Sequence, residues 1–156
     1  MVAAVLVPAE YDLASIAFSA GSGSLDARRY SGGRLYVEGV TQQALDAALS
    51  AYDHEAFLSA AIEQRLVAVL NNHLNAVAAQ RRYDDRFTCA LRAGFAGPFQ
   101  PEGQAFAAFM DECNMVGYTM MKRAKAGEIP TPTDAELIAA MPPMVWPPSP
   151  IPEGAV

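Results

Sequence analysis

Asp53-His-Glu-Ala-Phe-Leu58-Ser-Ala-Ala-Ile62-Glu-Gln-Arg-Leu66-Val-Ala-Val69-Leu70-Asn-Asn-His73-Leu74-Asn-Ala-Val77 decides the fold class. Leu58, Ile62, Leu66, Val69, Leu70, Leu74 and Val77 step by fours and threes, the spacing of one face of an α-helix. The stripe runs for about five turns and predicts the chain's longest helix. Asp53 is placed to cap it. Glu55 falls in the first turn, where the positive end of the helix favours a carboxylate.

Upstream the pattern changes. Thr41 is a second cap candidate, opening a short helix through Ala44, Leu45, Ala48 and Leu49. The first forty residues read as two or three short strands, Val2–Val7, Ser15–Ala20 and Arg34–Glu38, with Gly21-Ser-Gly-Ser24 and Gly32-Gly33 as turns. Leu35 and Val37 alternate with Arg34, Tyr36 and Glu38, the period of a half-buried strand. So small a sheet needs a helix or another protein to lie on.

Downstream, Tyr83–Arg92 continues or restarts the helix, and Gly94–Pro101 is a loop. Pro101-Glu102 begins a helix through Phe106, Phe109, Met110, Cys113, Val116, Met120 and Met121. Gly127 follows Lys122, Arg123 and Lys125 as its C-terminal stop. Thr133 and Glu136 form a capping box for a short last helix. Eight of the eleven prolines lie between residues 130 and 152, so the end reads as an extended polyproline-type arm. The predicted fold is mainly α: a helical bundle over residues 41–128, a small antiparallel β element over 1–40, and a short helix plus arm over 129–156.

Composition narrows the function. Of 156 residues 52% are hydrophobic and 18% charged, with 30 alanines. Disorder is excluded, and helices so rich in alanine pack close together around a thin core. A low-charge surface of this kind suits cover by a partner. The net charge is −6, from 17 acidic and 11 basic residues. Arg81, Arg82, Arg86 and Arg92 are interrupted by Asp84 and Asp85, so they read as an ion-paired helix face and not as a phosphate-binding one. No stretch approaches the ~18 apolar residues of a membrane span, and Val2–Val7 lacks the basic flank of a signal peptide. Neither nucleic acid nor a membrane is expected as a partner.

No residue pattern calls for a cofactor, a metal or catalysis. Cys89 and Cys113 are too few for a disulfide framework or a zinc site and read as free buried thiols of a protein made in the cytoplasm. Asp53, His54 and Glu55 are adjacent on a helix and point apart, so capping and solvent exposure account for them. His73 borders the apolar stripe as a contact residue. Gly21–Ser24 lacks the lysine and the spacing of a phosphate loop. An enzyme would have to be built on His54 or His73. Met110, Met115, Met120, Met121, Met141 and Met144 make the C-terminal half apolar and adaptable, as core or as contact surface. In the arm, Met144, Val145, Trp146, Pro147, Pro148 and Ile151 are the expected partner-binding residues, because tryptophan anchors interfaces and polyproline loses little entropy on docking. Docking on another chain is placed ahead of folding back.

Several segments between Leu66 and Trp146 carry a family likeness. They are Arg82-Tyr83-Asp84, Pro98-Phe99-Gln-Pro-Glu102-Gly-Gln-Ala-Phe106, Pro130-Thr-Pro-Thr-Asp-Ala-Glu136-Leu-Ile-Ala-Ala-Met141-Pro142 and Val145-Trp146-Pro147. This half of the chain resembles small tailed-bacteriophage proteins associated with the tail fibre or tail tip, and its ending is similar to that of tail-fibre assembly proteins. The group usually has Trp-Arg-Asp where this chain has Phe109-Met110-Asp111. The resemblance implies a non-enzymatic part of the virion at the tail tip, baseplate or fibre attachment, present in multiple copies and binding tail or tail-fibre proteins. Its place would be the virion tail, after assembly in the host cytoplasm. A tail-fibre assembly chaperone is the alternative it implies.

Overall fold

The computed structural model describes residues 1–152. The elements run β1 (Val2–Leu6), α1 (Leu13–Ser19), β2 (Arg28–Ser31), β3 (Arg34–Glu38), α2 (Gln42–Ala51), α3 (His54–Ala79), α4 (Arg86–Leu91), α5 (Gln100–Lys125) and α6 (Asp134–Ala139). Short 3-10 turns lie at Leu25–Ala27 and Arg92–Gly94. The fold is mainly α with a small antiparallel sheet near the N-terminus. None of the described helices is long and apolar enough to cross a membrane. The chain divides into two units at residues 60 and 61, not at the expected 40 and 41. Leu45 and Ala48 of α2 belong to the same buried cluster as the sheet, and Leu137, Met144 and Trp146 belong with the helices of the second unit.

In the first unit the sheet order is β1-β3-β2, all antiparallel. Ser31 pairs with Arg34, leaving Gly32 and Gly33 as a two-residue loop with φ of 58° and 72°. Positive φ at both positions is the tight hairpin turn that matches strand twist, and glycine adopts it at no steric cost. Ala3, Val5, Leu35 and Val37 share the face turned to the core.

Ser15–Ala20 is not a strand, which corrects the sequence reading. Asp12 accepts hydrogen bonds from the Ala14 and Ser15 N–H groups and so starts α1, which buries Ile16 and Ala17. The third strand is instead Arg28–Ser31. Thr41 caps α2 as expected, accepting from the Ala44 N–H.

α3, which begins in the first unit, and α5, in the second, have the same length, 26 residues, so the stripe does not mark a single longest helix. Leu66, Leu70, Leu74 and Val77 are buried as the stripe predicts, Ile62 and Val69 are half-buried, and Leu58 is 44% exposed. Leu70, Leu74, Val77 and Ala78 of α3 meet Cys89 of α4 and Phe106, Phe109 and Cys113 of α5. Small residues allow the close approach. A Cβ at Gly117 would stand 3.0 Å from Leu70 Cδ2, and one at Gly103 would stand 2.6 Å from the Arg92 carbonyl carbon. The helix restarts at α4 because Asp85 accepts from the Thr88 N–H. Thr133 and Glu136 form the expected capping box on α6, and Gly127, at φ 71°, follows the C-cap of α5.

Candidate functional site

The end of α3 sets up the site. The Tyr83 N–H reaches the Ala78 carbonyl and the Arg82 N–H the Ala79 carbonyl, the paired bonds of a Schellman stop. The left-handed position of that motif normally holds glycine; here it holds Arg82, at φ 65°. The turn leaves Gln80 and Arg81 on one side and carries Tyr83 to the first turn of α5, where Glu102 stands. Glu102 is only 2% exposed. The Tyr83 hydroxyl donates to Glu102 Oε2 at 2.9 Å, and the Arg81 guanidinium lies 3.4 Å from Oε1, which makes no hydrogen bond of its own. A buried carboxylate demands such partners, since losing its hydration costs several kcal/mol.

Burial, and then the hydrogen bond to the Glu102 carboxylate, push the Tyr83 phenol up to about 12. Burial and the same carboxylate push the Cys89 thiol to about 12 as well. Both groups are protonated at neutral pH, which suits packing, not nucleophilic attack.

The segment Pro142–Pro152 has neither helix nor strand and lies against this cluster. The Trp146 ring stacks on Phe106, with centroids 5.9 Å apart and planes 12° from parallel. Its indole N–H donates to Gln80 Oε1 at 3.1 Å. The Arg81 guanidinium stands 5.4 Å from the Trp146 ring centroid and donates from Nη2 to the Pro147 carbonyl at 2.9 Å. One arginine thus joins a buried carboxylate, an aromatic face and a backbone oxygen, the versatility its planar fork provides. A cavity of about 190 Å³, lined by Gln80, Arg81, Arg82, Glu102, Ser149 and Ile151, continues the seat beyond Pro147.

Of the six residues expected to bind a partner, Met144 and Trp146 pack on the chain's own helices. Val145 is 78% exposed, Pro148 is exposed, and Pro147 and Ile151 are half-buried. In the single chain the arm lies on its own helices, where Phe106, Gln80 and Arg81 contact the indole. Gln80, Arg81, Tyr83, Glu102 and Phe106 went unrecognised as a group. A lone tryptophan between apolar residues and prolines signals that a seat exists, but nothing local says where.

The other candidates fall elsewhere. His54 is half-buried, not exposed: it stacks on Tyr11 at 4.5 Å, with Phe57 beyond, and its buried Nδ1 has no partner. His73 is the expected contact residue, tilted against Phe109, and burial lowers its pKa. Cys89 and Cys113 are free and buried. Arg81 and Arg86 are not paired with Asp84 or Asp85; Arg86 reaches Asn75 Oδ1, and Asp85 caps α4. Gly21–Ser24 is the turn after α1, not one between strands. Among the described residues no cluster of three or more His, Cys, Asp or Glu side chains could hold a metal ion. No protein-family model, no curated protein and no solved structure matches the chain.

Proposed function

We propose that this protein is a non-enzymatic structural component of a tailed-phage virion, at the tail tip, baseplate or fibre-attachment region, where it binds tail or fibre proteins. The observation that carries the reading is a convergence. Tyr83, Glu102, Phe106, Trp146 and Pro147 come from three segments that resemble the phage group, and they meet in one site. That meeting supports reading the motifs together. Large apolar side chains left in solvent fit an assembly role: Phe87 at 62%, Leu91 at 63%, Phe95 at 57% and Met115 at 67%. Phe87 and Leu91 lie one turn apart on the same face of α4, where one partner could cover both.

Mass spectrometry of purified virions tests the reading. Recovery of the chain in fixed ratio to the tail proteins is expected, and its absence from mature particles overturns the proposal. Fibre that fails to mature in cells lacking such a released chain would instead identify an assembly chaperone.

A further inference from the structure

We infer that the cradle of Gln80, Arg81, Glu102 and Phe106 is a peptide site for an extended Trp-Pro segment, and that the arm of a second copy of this chain enters it in exchange for the chain's own. Beside the packing of Met144, the contacts at Trp146 and Pro147 are recognition contacts. Phe106 supplies a flat apolar wall for an indole, Gln80 an acceptor for its N–H, and Arg81 a donor for the carbonyl of the residue that follows. The buried Glu102 holds Arg81 in place from behind, and Tyr83 holds Glu102. None of these contacts depends on the segment belonging to the same chain.

The seat also holds the segment by few hydrogen bonds. Among the described residues two hydrogen bonds tie Pro142–Pro152 to the helices, one at Trp146 and one at Pro147. Beyond Pro147 the segment reaches the cavity that Ser149 and Ile151 line, and the Ile151 N–H bonds within the segment, to Ser149 Oγ. Pro142, Pro143, Pro147, Pro148, Pro150 and Pro152 lack N–H groups and have fixed φ, so the segment loses little conformational freedom on seating and breaks few bonds on leaving. The occupant follows from the chain itself. A second copy carries the same segment and remakes every contact in exchange, the basis of domain swapping. The tethered arm competes at an effective concentration of roughly 1 mM, so exchange appears when chains are crowded or the tethered arm is weakened.

Trp146 is the only tryptophan in the chain. The full-length Trp146→Ala variant is therefore dark at tryptophan wavelengths and has a weakened arm. Titrating it with the synthetic peptide Pro142–Pro152 makes the peptide's indole the sole reporter. Saturable binding, with a blue-shifted emission and raised anisotropy, is expected. Adding Gln80→Ala to the chain should weaken that binding about five-fold, the effect of one lost hydrogen bond. A flat titration to several times the ~1 mM effective concentration, on a variant whose circular dichroism is native, overturns the inference; so does binding that ignores Gln80→Ala. Should Trp146→Ala fail to fold, fluorescein-labelled peptide and the wild-type chain give the same reading. Anisotropy that rises with chain concentration supports exchange, and a flat line refutes it.

Discussion

The two units hold themselves together by opposite means. The first satisfies itself through main chain: three strands pair, two glycines close the hairpin, and side chains such as Asp12, Thr41 and Gln42 complete backbone groups. The second brings helices together over glycines and encloses groups that ionise, Glu102, Tyr83, Cys89 and Cys113. Main-chain pairing is indifferent to pH and tolerant of side-chain change. A core holding titratable groups is neither.

Alkali should act hardest, and on the second unit. Burial raises Cys89 from 9.0 to about 12, Cys113 from 9.0 to about 11 and Tyr83 from 10.0 to about 12. The native state thus keeps these groups neutral where the unfolded chain ionises them, so the unfolded chain loses protons first as pH rises. Their contribution is complete below about pH 9 and drains away as pH climbs from 9 toward 12. Trp146 lies in this unit, and its emission should shift to the red within that window. The double variant Cys89→Ala, Cys113→Ala should move the onset upward by leaving Tyr83 alone of the three. A transition complete below pH 9, or unmoved in the double variant, would break the contrast between the units. His73, lowered by burial, works in the other direction: its contribution is present above about 6.5 and fades as pH falls.

Gly103→Ala comes next. The new Cβ would meet the Arg92 carbonyl carbon at 2.6 Å and the Arg92 Cβ at 2.8 Å, with the Ala93 nitrogen nearer still. Most of these neighbours are backbone, which cannot swing aside, so α5 must lift from the 3-10 turn at Arg92–Gly94. The cost should reach about 3 kcal/mol, or roughly 6–12 °C in Tm for a chain of this size. Gly117→Ala is the internal control. There the nearest atom is a single side-chain carbon, Leu70 Cδ2 at 3.0 Å, which has to give by only a few tenths of an ångström, and alanine raises helix propensity. Equal losses at the two positions would mean that the helices tolerate no added methyl anywhere, and that Gly103 is not special.

Those two glycines show what could be read in the sequence and what could not. Local signals were legible: the stripe of α3 from Leu66 to Val77, caps at Thr41 and Asp53, the Thr133–Glu136 box, and the Gly32-Gly33 turn. Ser15–Ala20 misled because a six-residue, mostly apolar segment fits a strand or a buried helical turn equally, and the deciding cap, Asp12, lies three residues before it. Arg28–Ser31 has no strand signature of its own; it is a strand because β3 offers it partners. Arg82 occupies a position where glycine would have announced the stop. Glu102 looked like an ordinary first-turn carboxylate, and its burial depends on Arg81 and Tyr83, which close on it only in the folded chain. The candidate site was half legible for the same reason: Trp146 was conspicuous, its seat was not.

The mildest test concerns Gln42 and the edge of the sheet. Its side-chain amide accepts from the Ala4 N–H at 3.0 Å and donates to the Ala4 carbonyl at 2.9 Å, standing in for one residue of a neighbouring strand on the free side of β1. Asp46 Oδ1 accepts from the same amide nitrogen at 2.8 Å and fixes its orientation. The contact is exposed, so Gln42→Ala should cost only about 1 kcal/mol. Its larger consequence lies outside thermodynamic stability. Ala4 would present both backbone groups to other chains, between Val2 and Leu6, which are 58% and 63% exposed, and an open apolar edge invites strand pairing between molecules. Light scattering should therefore grow with concentration in Gln42→Ala well below its Tm, and Gln42→Glu, which keeps an acceptor and adds charge at the edge, should restore clarity. A drop in Tm as large as that of Gly103→Ala would show that the first unit leans on this one side chain as heavily as the second leans on its glycine, and the distinction between main-chain and side-chain solutions would fall.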